Sequence, residues 1–169
     1  VAESALGTSV YPGMEATDDQ LVFETNVFNS EFRFGGLPQL HLDVTPAGPG
    51  GSIYALMEDC SAENECIHVG HAIMDLRYHE GGTEYQNVVP GVEIRAKMEF
   101  FAMDILIPEG HKIRLSLRDI GEDYLPPSTE AAVDIDISGN SVLRIHEINT
   151  DEKIFFEPPV CMYEDCLAE

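Results

Sequence analysis

The sequence predicts an all-β protein folded as a jelly-roll β-sandwich. The first observation is a long stretch, residues 89–118, in which apolar and polar side chains alternate from Val92 to Phe100. That period is typical of a strand with one face on a core and the other in water. The second is the series of turn signals that divides the chain into about nine to ten strands. The third is that no segment shows the period of an amphipathic helix. Together they favour two packed antiparallel sheets.

The alternation slips by one residue at Phe100–Phe101. Beyond it the apolar set continues as Phe101, Met103, Ile105 and Ile107. A one-residue slip would turn every later side chain to the opposite face, so we expect a β-bulge or a break between two strands near Phe100. Residues 108–111 (Pro-Glu-Gly-His) predict a tight turn into a strand over 113–118.

Turn residues set the other strand boundaries. Gly35-Gly36 is expected to end a strand, residues 46–51 form a Pro/Gly-rich turn, and Gly70 invites a bulge. An irregular loop is expected over 119–130, and a turn at Gly139-Asn140. The remaining predicted strands cover residues 21–27, 31–34, 38–45, 53–57, 67–78, 133–137, 141–148 and 154–156.

The length of 169 residues suits one domain. We expect an entering segment or linker over 1–20, the β-sandwich over 21–160, and an acidic cysteine-containing tail over 161–169. No signal-peptide pattern or initiator methionine stands at Val1, so a processed product or a fragment of a longer protein is expected.

The charge balance is the compositional outlier, with 31 Asp plus Glu against 9 Lys plus Arg. Such a surface repels phosphate backbones and anionic lipid, which argues against nucleic-acid binding. No apolar run approaches the length of a membrane span, so membrane insertion is not expected. The acidity indicates a solvated surface or, alternatively, a calcium site, although no D-x-D-x-D-G loop is present. Asp18-Asp19 and the Asp134/Asp136 pair are expected to be exposed.

Four cysteines form two short-range pairs, Cys60/Cys66 and Cys161/Cys166. Three pairings are possible, and local bridges within each pair are favoured. They would indicate an oxidising compartment, extracellular or in the cell envelope. Reduced thiols and a four-thiolate zinc site are the alternatives; the C-x5-C and C-x4-C spacings are wider than usual for zinc.

The histidines offer no evident site. His68 and His71 are three residues apart on a predicted strand, so they are expected to face opposite sides and not to chelate one metal. His41 and His79 are expected to be exposed. His111, in the Gly110-His111 turn, is expected to make a structural hydrogen bond.

Nucleophilic catalysis has no support in the sequence. The nucleophile elbow G-x-S-x-G is absent, since residues 7–11 fail at the last position. Phosphate-binding loops are missing as well. No catalytic, metal-binding or cofactor-binding residue is therefore assigned. A sugar platform would have to rely on tyrosines, because the chain has no Trp.

A series of short motifs follows one another in a characteristic order. They are Leu21-Val-Phe-Glu-Thr25, Gly36-Leu-Pro-Gln-Leu40, Ile53-Tyr-Ala-Leu-Met-Glu58, Ile67-His-Val-Gly70, Leu76-Arg77, Val89-Pro-Gly91 and Pro108-Glu-Gly-His-Lys-Ile-Arg-Leu115. Over residues 21–128 this order resembles the C-terminal non-catalytic domain of X-Pro dipeptidyl-peptidases. It is similar also to their relatives, the cocaine esterases, glutaryl acylases and amino-acid-ester hydrolases.

The resemblance implies a galactose-binding-domain-like jelly roll packed against an α/β-hydrolase catalytic domain that precedes Val1. In that family the serine, aspartate and histidine of the triad belong to the hydrolase domain, so none is carried onto this chain. His111 matches the Gly-His turn of the family, and Lys112 stands where arginine is more usual.

The main hypothesis is a non-catalytic accessory domain of a serine peptidase, esterase or acylase, which helps to shape the active-site entrance. Contacts in a homo-oligomer are a further option. The alternatives are a free-standing carbohydrate- or calcium-binding module and a structural cell-surface domain.

Overall fold

The computed structural model describes residues 2–5, 20–118 and 135–148. These residues form ten strands and one short 3-10 turn, with no α-helix among them. The strands are β1 Ala2–Ala5, β2 Gln20–Glu24, β3 Phe32–Pro46, β4 Ser52–Cys60, β5 Cys66–Asp75, β6 Ile94–Glu99, β7 Met103–Ile107, β8 Lys112–Arg118, β9 Ile135–Ile137 and β10 Val142–Glu147.

The first sheet, called sheet A, is built around the 15-residue strand β3. Along one edge β3 pairs antiparallel with β7 and then β6; along the other it pairs with β10 and then β9. Strand β1 pairs with the edge of β10 that faces away from β3. Each edge of β3 is therefore completed by two shorter strands in succession.

The predicted interruption near Phe100 is confirmed. Strand β6 ends at Glu99 and β7 begins at Met103, and both pair with β3. Phe100 is buried at 1% exposure, whereas Phe101 is 75% exposed. The expectation that Phe101 belongs to the apolar inner set was wrong, because it lies in the break between the two strands, where the alternation does not apply.

The predicted strand end at Gly35-Gly36 was also wrong. Strand β3 continues through both glycines, and Gly36 pairs with Met103. Gly36 has φ +93°, a conformation that glycine adopts without strain. At Gly35 a Cβ atom would lie 2.5 Å from the Ile148 Cδ1 atom. Gly36 thus adopts a backbone conformation that other residues rarely take, and Gly35 leaves room for the Ile148 side chain.

The second sheet, called sheet B, has the order β2-β8-β4-β5. Its hairpin β4–β5 has a register shift between Met57 and Glu58, where Met57 pairs with Gly70 and Glu58 with His68. The extra residue, Val69, marks the bulge that Gly70 predicted. Strand β5 ends at Asp75 rather than Tyr78, because Asp75 accepts a hydrogen bond from the Arg77 amide and caps a 3-10 turn over Leu76–Tyr78.

The two sheets pack face to face over one apolar core. Its most buried members come from both sheets, and they include Phe34, Leu40, Leu42, Ala55, Met57, Met98, Ile107 and Leu115. Burying each large side chain contributes about 1.5–3 kcal/mol. The all-β sandwich is thus confirmed, and the jelly-roll connection order stays a prediction.

Several predicted features lie outside the described residues. These are the loop over 119–130, the strand over 154–156, Asp134, the Asp18-Asp19 pair and the tail over 161–169 with Cys161 and Cys166. In the described part of the chain, no helix is long and apolar enough to cross a membrane.

Candidate functional site

The Gly110-His111 turn joins the two sheets and is fixed by hydrogen bonds. Gly110 has φ +85°, and its amide donates to the Phe28 carbonyl at 2.9 Å. The His111 Nδ1 atom lies 2.8 Å from Oδ1 of Asp59, a residue with only 6% exposure. The imidazole therefore supplies the donor that this buried carboxylate requires.

A buried group of charges follows the turn on the outer face of sheet B. The Lys112 Nζ atom donates to Glu24 Oε2 at 2.7 Å, and Arg114 Nε donates to Glu24 Oε1 at 2.8 Å. Both cations also reach the Asn64 side-chain oxygen. The side chains of Glu24, Lys112 and Arg114 are only 5–6% exposed. Each oxygen of the carboxylate is thus held by a cation, which suits a structural role.

The bulge in β5 brings His68 and His71 together, contrary to the expectation that they face opposite sides. Because Val69 is an extra residue, the two histidines occupy positions of the same parity on the strand. The His71 Nδ1 atom lies 3.3 Å from His68 Nε2. The ring planes differ by 22° and the centroids are 5.4 Å apart, so the rings meet edge to edge. The signal that could have revealed this pair was Gly70, which predicted the bulge between them.

The histidine pair belongs to a row of rings across the outer face of sheet B. The Tyr54 and His71 centroids are 5.6 Å apart. The Arg118 guanidinium lies 4.7 Å from the Tyr54 ring centre, at cation–π distance. The ring of Phe101, from the break in sheet A, lies nearly perpendicular to the His71 ring, with the centroids 6.1 Å apart. Sequence reasoning missed this row, because its members come from three strands and a loop.

A groove of about 910 Å³ lies where β5 of sheet B and β6 of sheet A run along the same side of the sandwich. The segment after β5 forms its rim, held to β6 by the Lys97 amide, which donates to the His79 carbonyl at 2.8 Å. The lining residues are mostly polar, and they include Gln39, His41, Asp75, Arg77, Lys97 and Glu99.

Two charged positions define the electrostatics of this groove. Burial acts to raise the pKa of Asp75, but hydrogen bonds from the Arg77 side chain and amide outweigh it, so the pKa lies below its ordinary value. The pKa of His41 is lowered by burial and by the positive charges of Arg144, Arg95 and Lys97. His41 is half-buried, not fully exposed as predicted.

Tyr78 lines the groove, and Tyr85 packs against Tyr78 beside it. Tyr78 is 37% exposed and Tyr85 is 64% exposed, and their rings meet edge to face at 6.4 Å. The Arg77 guanidinium lies 5.9 Å from the Tyr85 ring centre. We call Arg77, Tyr78 and Tyr85 the tyrosine rim.

Cys60 and Cys66 are joined by a disulfide that closes the tip of the β4–β5 hairpin, with Cα atoms 4.0 Å apart. Glu58 lies near the two sulfurs, within 4.8 Å. Because these sulfurs are bonded to each other, they offer no thiolate for a metal.

Comparison with known proteins identifies the chain. The family model of the X-Pro dipeptidyl-peptidase C-terminal non-catalytic domain matches residues 2–146. The chain belongs to this family. The family is described as a non-catalytic domain, which agrees with the accessory role that the resemblance predicted. The match includes strand β1, which precedes the stretch on which the resemblance was based.

Solved structures show the same fold in larger hydrolases. An aminopeptidase from a marine sediment Thaumarchaeota archaeon matches with TM-score 0.70 and 15% identity, over 80% of this chain and 27% of its own. An α-amino acid ester hydrolase matches with TM-score 0.68 and 15% identity, over 79% and 26%. A CocE/NonD family hydrolase from Staphylococcus aureus matches with TM-score 0.58 and 13% identity, over 79% and 31%. The chain thus spans about a quarter to a third of these proteins. No curated protein sequence matches it.

Proposed function

We propose that this chain is the accessory β-sandwich of a serine hydrolase that acts on peptides, amides or esters, with an α/β-hydrolase domain preceding Val1. The observation that carries the proposal is the family match over residues 2–146. The similar solved structures support it, since each contains this fold as a minor part of a hydrolase. The domain packs on the catalytic domain and helps to form the active-site entrance.

The tyrosine rim and the adjoining groove are the surface that we assign to this packing. Tyrosine and arginine are the residue types enriched at protein interfaces, and both occur here beside a concave surface. The groove presents both positively and negatively charged side chains. Such a lining suits contact with a polar surface of another domain in the same protein.

The β2–β8 end of the outer face of sheet B is less suited to docking. Lys112, Arg114 and Ser116 point outward from β8, yet each is 5% exposed or less. This end of the sheet is therefore already covered within the chain and offers little surface to a partner.

The disulfide at Cys60–Cys66 supports maturation in an oxidising compartment. Intact mass of the protein purified from its native source, before and after reduction and alkylation, tests this inference. A protein that is fully alkylated without reductant would contradict it.

The proposal that catalysis belongs to the preceding hydrolase domain is tested with two proteins, the isolated chain and the full-length protein. We expect the isolated chain to show no turnover of Gly-Pro anilides or acyl esters. The full-length protein should hydrolyse one of these classes and lose activity to a serine-directed inhibitor. Turnover by the isolated chain that such an inhibitor abolishes would overturn the proposal.

The docking surface is tested by hydrogen exchange. Amides of residues 76–92 should exchange more slowly in the full-length protein than in the isolated chain, because docking removes them from water. In the full-length protein Tyr78→Ala/Tyr85→Ala should weaken docking by at least about 1–2 kcal/mol. The control is Leu106→Ala, at a 49% exposed position on β7. Equal exchange over residues 76–92 would reject this surface and leave the hydrolase proposal standing.

A further inference from the structure

The His68–His71 pair is the one place in the described chain where two imidazole nitrogens face each other across a short gap. The gap is 3.3 Å between His71 Nδ1 and His68 Nε2. In a tetrahedral site with zinc–nitrogen bonds of about 2.0–2.1 Å, two ligand nitrogens are about 3.3–3.4 Å apart. The observed distance between the two nitrogens therefore equals the distance between two ligand nitrogens in a tetrahedral zinc site.

The geometry also permits convergence on one ion. The rings meet edge to edge, so both nitrogens point into the shared gap. His68 is exposed, and its ring can rotate by the few tens of degrees needed to direct its lone pair toward a common point beside the gap. His71 is held more firmly, since Tyr54 and Phe101 contact its ring. One fixed ligand and one adjustable ligand suit capture of an ion from solution.

We propose that His68 and His71 chelate a divalent transition-metal ion at the bulge of β5. Two neutral imidazoles favour zinc, copper(II) or nickel over magnesium or calcium, which prefer oxygen ligands. Water completes the coordination. Glu58, the cross-strand partner of His68, adds negative charge nearby, and the net charge of −22 attracts cations.

On binding, the ring that donates the hydrogen bond across the gap changes tautomer: its proton moves, through solvent, from the facing nitrogen to the other nitrogen of the same ring. Both facing nitrogens become ligands, the protons sit on His71 Nε2 and His68 Nδ1, and the neutral pair releases no net proton. The site does not depend on the proposed hydrolase function, and it lies on a different part of β5 from the groove.

The test is calorimetric titration of the chain with zinc chloride and with nickel chloride, after alkylation to block any free thiol. We expect one site, whose affinity falls at least about tenfold in His68→Asn and in His71→Asn. His79→Asn and His146→Asn are matched controls and should leave the affinity unchanged. Circular dichroism and melting temperature confirm that each variant is folded.

A second measurement locates the ion. Substoichiometric copper(II) should broaden the amide resonances of residues 67–72 and of Tyr54 first, because paramagnetic relaxation is strongest close to the ion. If the double variant His68→Asn/His71→Asn binds the metal ion with the same affinity as the wild type, the proposal is overturned. Broadening that begins elsewhere would overturn it too, and the nitrogen pair would then be a hydrogen bond alone.

Discussion

The His111 Nδ1 atom lies 2.8 Å from the Asp59 Oδ1 atom, and this bond ties the turn before β8 to the end of β4. His111→Ala would leave the 6%-exposed Asp59 carboxylate without this donor. We expect a loss of about 1–3 kcal/mol in the free energy of unfolding, the usual cost of a buried polar group that has lost its partner. Urea denaturation measures it. Adding Asp59→Asn to the His111→Ala variant should recover part of the lost stability. If the double variant instead loses the sum of the two single-variant losses, the interpretation is contradicted.

The buried Glu24 carboxylate should contribute far more to folding stability than an exposed carboxylate does. Glu24→Gln removes the buried carboxylate to which both Lys112 and Arg114 donate, and removing one partner from a buried group of charges costs about 3–5 kcal/mol. The matched control is Asp104→Asn, which breaks the exposed ion pair with Arg33 and should cost much less stability. Should Glu24→Gln be insoluble, Lys112→Met provides a milder test. A Glu24 variant as stable as the Asp104 variant would contradict the prediction.

The disulfide should stabilise the chain modestly, because the loop that it closes is short. With a sequence separation of 6, the chain-entropy relation predicts about 2 kcal/mol. The double variant Cys60→Ser/Cys66→Ser should lose about that much in chemical denaturation, without a change of activity in the full-length protein. The variant Cys161→Ser/Cys166→Ser, compared in parallel, separates this effect from any contribution of the other two cysteines.

His41 should make stability depend on pH. Its pKa is lowered in the folded chain, first by burial and then by Arg144, Arg95 and Lys97, so the unfolded chain binds the proton more tightly. The contribution is therefore fully present above the ordinary histidine value of 6.5 and is lost as the pH falls below it. His41→Gln should lose less stability than the wild type between pH 7.5 and about pH 5. Parallel profiles of the two proteins in thermal unfolding would refute this assignment.

Local alternation was enough to predict much of this fold. The interruption after Phe100 was visible because a shift of phase is recorded in consecutive residues. The 15-residue length of β3 was not, since Gly35-Gly36 indicates a strand end by composition and only the partners on both edges show that pairing continues.

The candidate sites were harder to predict, for a similar reason. The His68–His71 pair depends on counting one bulged residue, and the expectation failed because a regular strand was assumed across Gly70. The burial of Lys112 and Arg114 depends on what covers the sheet. The tyrosine rim depends on a 3-10 turn that begins where a strand was expected to continue.

The arrangement around β3 sets the order in which the chain can fold. The β4–β5 hairpin joins neighbouring segments and can close early, whereas β3 must wait for partners that lie as far along the chain as Glu147. During synthesis its second edge stays open until β9 and β10 have left the ribosome. That unpaired edge is where a stalled or truncated chain would be most prone to aggregate.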